Sequence, residues 1–340
     1  MKNNVLCLAC AALTGLLFQA LDIPHGLLLG SVVGAAVLTT GVGISSDLRF
    51  GMEYVQIALG TATGLLMKDW SGEIIAHIIP SLALMLICLI GQCLVAWLWL
   101  RKVCKWAPKD ALLATYPGAL AAILDIIKSE KAENKVIIAH LTRLVFITVT
   151  LSLILPPSSN RSDTVQAIAD FSHASALAIL LTSCIVTGLT MRRIGVPAPF
   201  MISAILLTSL LASPLALDSF RMPQWCLDAA AVMLGALIGS KLKGMSMKEI
   251  GQYVGAGFVS VSLMLLFAGV VALIFANILE VPAIQLWLAH LPGAIELVAL
   301  IGYGSGLNVA FILLHHLARM VFLHFAPVLL AQTGRYRRRP

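Results

Sequence analysis

Twelve apolar runs separated by short polar joints account for nearly the whole chain. They cover residues 5–21, 24–43, 51–66, 74–100, 111–127 and 136–155, then 176–191, 197–217, 225–240, 251–279, 283–303 and 308–331. In lipid, backbone N–H and C=O groups must be satisfied within the segment, so runs of this length are expected to be helical. The expected fold class is an all-α polytopic integral membrane protein.

The pattern repeats. Thr14-Gly15 with Pro24 recurs as Thr187-Gly188 with Pro197 at an offset of 173, and Leu59-Gly60 with Gly64 and Lys68 recurs as Leu234-Gly235 with Gly239 and Lys243 at 175. Pro117-Gly118-Ala119 recurs as Pro292-Gly293-Ala294 at 175, and HLTRLVF from His140 recurs as HLARMVF from His316 at 176. A slowly drifting offset of this kind points to internal duplication. The expected organisation is a first membrane repeat over 1–157, a polar linker over 158–174 and a second repeat over 175–340 with a basic tail. The start of the chain resembles a secretory signal, but its Thr-Gly and Pro landmarks have partners in the second half, which argues against cleavage.

Each repeat holds six runs, of which the fifth is interrupted by Pro-Gly. The distribution of basic residues tests whether that run crosses. With twelve crossings, 12 of the 23 Lys and Arg fall inside and 9 outside; with the fifth run of each repeat returning to its own side, 18 fall inside, Lys68, Arg161 and Arg221 fall outside, and Arg143 and Arg319 lie in the membrane. The second arrangement is preferred. It implies two inverted repeats of five transmembrane helices, each with one re-entrant or broken Pro-Gly segment, and both termini in the cytoplasm.

Composition agrees: of 340 residues 59% are hydrophobic and 11% charged, and the mean hydropathy is +0.95. The net charge of +7 sits in joints beside apolar runs, so topology explains it better than nucleic acid does. The seven cysteines read as ordinary helix residues.

An arginine at the centre of a membrane helix costs roughly 2.5 to 3.5 kcal/mol, so Arg143 and Arg319 are the first candidates for function. His140 and His316 each lie three residues before an Arg and share its helical face. Two uses are open. The patches bind an anionic group through bidentate contacts, or each Arg ties down carbonyls freed by the Pro-Gly break. Pro117-Gly118 and Pro292-Gly293 are the second constellation, since a broken helix exposes amides for an anion or carbonyls for a cation. Glu296 and Asp125 are candidates for proton coupling or for counter-ions, and Ala121 stands at the position that matches Glu296.

His290, His315, His316 and His324 crowd the last 52 residues, yet no Cys or carboxylate completes a ligand set, so no metal and no cofactor is expected. The small-xxx-small pairs Gly60/Gly64 and Gly235/Gly239 are expected to make close helix contacts. No phosphate-binding loop, HExxH or GxSxG is present, so the chain is expected not to be an enzyme.

Ile23-Pro24 followed by LLLG, the Pro-Gly segments, and Arg143 and Arg319 beside Val-Phe together resemble the AbrB-type duplicated membrane protein family, some members of which carry an ammonia monooxygenase label. Both copies here read Pro-Gly-Ala where the family usually reads Pro-Gly-Gly. The resemblance covers both halves and implies a ten-crossing fold similar to the sodium/proton antiporter and bile-acid symporter architecture, in the bacterial inner membrane.

The leading expectation is a secondary transporter of a small anionic metabolite, working by ion-coupled alternating access. The alternative is a membrane protein with an indirect regulatory effect on gene expression, since its short joints rule out direct nucleic-acid binding. A membrane oxidoreductase comes third. The expected partners are the lipid bilayer and a small-molecule or ion substrate, with homo-oligomerisation left open.

Overall fold

A computed structural model of the chain describes residues 2–44, 50–67, 72–116, 134–155, 174–196, 198–217, 220–243, 247–293 and 295–336. Every secondary-structure element among these residues is an α-helix. The first half contributes α1 (Lys2–Ala20), α2 (Gly26–Gly41), α3 (Gly51–Met67), α4 (Gly72–Lys102), α5 (Pro108–Thr115) and α6 (Asn134–Ile154). The second contributes α7 (Ala174–Arg193), α8 (Pro199–Leu211), α9 (Gln224–Ser240), α10 (Met247–Phe275), α11 (Ala283–His290), α12 (Ile295–Gly304) and α13 (Val309–Tyr336). Each apolar run thus coincides with a helix, except that 283–303 forms two half-helices and 111–127 is described only as far as Tyr116. The linker over 158–174 lies almost wholly outside the described residues.

Among the described residues, five helices are long and apolar enough to cross a membrane: Asn3–Ala20, Ile78–Lys102, Lys135–Ile154, Ser175–Arg193 and Tyr253–Phe275. Four shorter apolar helices accompany them, at Gly26–Gly41, Pro199–Leu211, Gln224–Ser240 and Val309–Leu323. The protein is a helical, membrane-type bundle.

The helices form two groups. In the first, α1 and α2 make an antiparallel hairpin: Thr14 Oγ1 donates to the Gly30 carbonyl at 2.7 Å and Ser31 Oγ to the Ala11 carbonyl at 2.9 Å. Ser203 Oγ donates to the Cys184 carbonyl at 2.9 Å and joins α7 to α8 in the same manner. The hairpins then exchange partners. A Cβ on Gly235 or Gly239 of α9 would stand 2.5 Å from the Ser31 Cβ or 2.6 Å from the Val32 carbonyl of α2. One on Gly60 or Gly64 of α3 would stand 2.7 Å from the Ala204 Cβ or 2.6 Å from the Thr208 Cβ of α8. The expected close contacts are therefore present. Their ascending registers make α2 parallel to α9 and α3 parallel to α8.

The second group comprises α4, α5, α6, α10, α11 and α13. Trp97 Nε1 donates to the Pro108 carbonyl and the Cys93 thiol to the Thr115 carbonyl, which sets α5 antiparallel to α4. Lys135 pairs with Asp110 at 2.6 Å and His140 meets the Leu113 carbonyl at 2.8 Å, so α6 runs parallel to α5. Gly257 packs on Ala139 and Thr142, and Phe258 on Phe146, which joins α10 to α6. The Tyr253 ring meets Trp106 just past the end of α4 while the Phe267 ring covers Gly91 within it, so α10 runs antiparallel to α4 and hence parallel to α6.

Between the groups lies α12, packed on α3, α6, α9 and α13. Its far end is fastened where Ser305 Oγ and the His25 ring both reach the Leu155 carbonyl at the end of α6.

A Gly239→Leu substitution must push α2 away from α9. It is expected to destabilise the protein by about 1–3 kcal/mol, read as a fall in the midpoint of thermal unfolding by intrinsic tryptophan fluorescence, whereas Gly251→Ala, with open space around it inside a helix, is expected not to lower the midpoint.

Candidate functional site

The two helix breaks share one construction. Each half-helix stops because the next residue precedes a proline, and such a residue is sterically pushed out of the α region. Tyr116 (φ −59, ψ 122) precedes Pro117, and Leu291 (φ −63, ψ 141) precedes Pro292. A helix end leaves its last carbonyls without intrahelical donors, and in lipid no water replaces them.

The donors come from the neighbouring helix. Arg143 Nη1 donates to the Tyr116 carbonyl at 3.3 Å, Arg143 Nη2 to His140 Nδ1 at 2.7 Å, and His140 Nε2 to the Leu113 carbonyl at 2.8 Å. At the second break Arg319 Nη1 donates to the Leu291 carbonyl, Arg319 Nη2 to the Gly293 carbonyl at 2.7 Å and to His316 Nδ1 at 3.1 Å, and His316 Nε2 to the Leu288 carbonyl at 2.9 Å. Leu113 and Leu288, like Tyr116 and Leu291, are 175 residues apart.

These contacts assign the tautomer. A ring nitrogen facing a carbonyl must carry the proton, and one facing a guanidinium must offer its lone pair, so His140 and His316 are complete as neutral Nε2–H imidazoles. Each guanidinium also places positive charge at the negative end of a half-helix, which offsets part of its burial cost. Arg143 is 7% and Arg319 2% exposed, and among the described residues neither has a carboxylate partner. The capping use of the arginines is therefore present. On each arginine Nε is buried and without a hydrogen bond.

Helix α4 binds both breaks at adjacent residues. Gln92 Nε2 donates to the His290 carbonyl at 3.0 Å, and the Cys93 thiol to the Thr115 carbonyl at 3.7 Å, which are the last helical residues of α11 and α5. The Cys93 sulfur lies within electrostatic reach of both arginines, and the arginines within reach of each other. The two breaks thus meet at one level of the bundle.

Of the residues singled out from sequence, the structure gathers Arg143, His140, Arg319, His316, Pro292 and Gly293 around these breaks. Pro117, Gly118 and Asp125 lie outside the described residues. Glu296 stands in the first turn of α12, and its side chain is likewise outside them. Sequence reasoning missed Ser81, Gln92 and Cys93 because single polar residues in a long apolar helix carry no periodic signal.

It also set His290 and His315 aside, whereas these two form a buried chain with Ser81. Ser81 Oγ donates to His315 Nε2 at 2.8 Å, His315 Nδ1 to the Phe311 carbonyl at 2.8 Å, and the His290 ring reaches the Ser81 carbonyl at 3.4 Å. The positions matching Ser81, Gln92, His290 and His315 in the other half are Ala256, Phe267, Thr115 and Ala139. This chain therefore belongs to the second break alone.

The family profile described as "Transition state regulatory protein AbrB" matches residues 48–333. The chain belongs to the AbrB family. A relative in Escherichia coli (strain K12), described as "Putative regulator AbrB", is 22% identical over 305 residues, covering 87% of this chain and 86% of its own. No solved structure matches. Both breaks and both Arg-His pairs of this AbrB family member fall inside the matched span.

Replacing Arg319 with Ala strips donors from two carbonyls and from His316. The expected loss is about 3 kcal/mol or more of stability, seen as a lower unfolding midpoint in detergent. Arg319→Lys should recover only part, because an ammonium cannot reproduce the planar fork. Gly293→Ala is expected to be silent in the same assay, because its Cβ would meet only ordinary contacts at 3.5 Å or more.

Proposed function

We propose that the protein is a secondary transporter of a small anionic metabolite, resident in the bacterial inner membrane with both termini cytoplasmic and driven by an ion gradient through alternating access. The observation that carries this reading is the pair of arginine-capped helix breaks converging on one stretch of α4. Irregular backbone at membrane depth is tolerated where it is buried in protein or beside a cavity, and paired broken helices are the usual substrate sites of such carriers.

Several features support two inverted repeats of five crossings, each with a re-entrant Pro-Gly segment. The matched helices α4 and α10 run in opposite directions. The three hydrogen bonds described at the first break recur at matching residues of the second. Helix α11 leaves the end of α10, while α12 finishes against Leu155 at the end of the parallel helix α6, so both halves of the broken segment sit towards one end of the bundle. Helix α12, lodged between the helix groups, is suitably placed to feel one group move against the other.

The described name of the relative favours a second reading, a membrane protein whose loss alters gene expression indirectly, by moving or sensing a signal molecule. The two readings separate by flux.

Purified protein screened against a panel of organic anions should show a raised unfolding midpoint with a true ligand, by about 2.7 kcal/mol at a hundred times its dissociation constant. Proteoliposomes should then exchange that labelled anion across the membrane. Absence of flux for every stabilising anion, with altered transcription in a deletion strain, would leave the regulatory reading standing.

A further inference from the structure

We infer that His290 is a proton-binding site, set at the end of α11 so that its protonation is linked to occupancy of the adjacent break by an anion.

Among the described residues four histidines are buried, and they differ in how their hydrogen bonds are satisfied. His140 and His316 are complete as neutral rings, each with one nitrogen on a carbonyl and the other accepting from its arginine. His315 is complete as well, donating from Nδ1 to Phe311 and accepting at Nε2 from Ser81. His290 differs. Its Nε2 faces the Ser81 carbonyl, its ring has a second carbonyl neighbour in Leu286 one turn back on α11, and its Nδ1 is buried with no hydrogen bond at all. A neutral imidazole has one N–H for two carbonyls. The imidazolium has two. A second buried acceptor without a donor, Gln92 Oε1, belongs to the amide that caps the His290 carbonyl. A proton on Nδ1 would give the ring its second donor among these acceptors.

The charges around it decide what the proton responds to. From α13 the ring faces His315 at 5.9 Å between centroids, edge to face, with His316 and Arg319 behind. From α4 come Ser81, Gln92 and, on the far side of the amide, the Cys88 thiol. Helix α10 presents Leu265 and Gly269 to α11, neither of them titratable. A cation at the C-terminal end of α11 is favoured by the helix dipole. The same cation is opposed by Arg319. An anion received at the break offsets the Arg319 charge, so anion and proton must each strengthen the binding of the other, reciprocally and by the same factor. This makes the driving ion H⁺ and the direction symport, a role that rests on the transport reading; the proton site itself does not.

The test is charge movement without substrate. Proteoliposomes of the full-length wild type on a supported membrane, jumped from about pH 8 to about pH 5 across the imidazole range, should give a transient current. His290→Gln should lose most of it, about fivefold or more. A flat wild-type trace, or an undiminished transient in His290→Gln, overturns the proposal. Should His290→Gln fail to fold, ¹⁵N-histidine NMR of the wild type decides: a buried ring with both nitrogens protonated at about pH 5 upholds the site, and none overturns it. The two readings fail separately. Anion exchange with a flat pH jump removes the proton site, and a full pH-jump current without any anion exchange removes the transporter.

Discussion

The second helix group depends on one constraint: a helix that stops inside an apolar bundle must find donors for its last carbonyls. Water supplies them at the surface of a soluble protein, whereas here the supply is built in. An arginine and a histidine one turn apart on the next helix provide a fork of N–H groups, and a proline fixes where they are needed. The buried charge, costly alone, is held against the negative end of the half-helix it caps. Arginine is the suitable residue because its planar guanidinium serves two carbonyls and an imidazole at once, as it does at Leu291, Gly293 and His316.

That constraint links stability to position. Because α4 caps α5 and α11 through neighbouring residues, any displacement of α4 along its axis would disturb both breaks together. Among its described residues the first helix group has no buried arginine, and its hairpins are joined by hydroxyl–carbonyl hydrogen bonds at Thr14, Ser31 and Ser203. It is built from glycine-mediated contacts between α2 and α9 and between α3 and α8, which demand shape and offer little chemistry. The bundle therefore combines a group joined by small residues and hydroxyl–carbonyl hydrogen bonds with a group organised around arginine-capped breaks, and α12 lies between them.

The departures from symmetry matter as much as the repeat. The arginine caps are matched, while the positions that match Ser81, Gln92 and His315 in the other half are the apolar Ala256, Phe267 and Ala139, and Thr115 stands at the position of His290. The two breaks share one form of arginine cap, and among the described residues only the second carries a buried Ser-His chain.

Much of this was legible in the sequence, for physical reasons. Long apolar runs can satisfy their backbones in lipid only as helices, so the class and nearly every element followed from hydropathy. The paired Arg-His heptapeptides stood out because a charge in oil must have a purpose, and the Pro-Gly interruptions because proline disturbs the backbone on both sides. Sequence could not decide between an arginine waiting for an anion and one already holding carbonyls, since both demand the same residue at the same spacing. Only the packing of α5 against α6 and of α11 against α13 showed the carbonyls in reach. Nor could sequence find the Ser81, Gln92, His290 and His315 chain, whose members are separated by as many as 234 residues. The demand for a donor is local and can be read from the chain; which donor meets it depends on the helix that packs alongside.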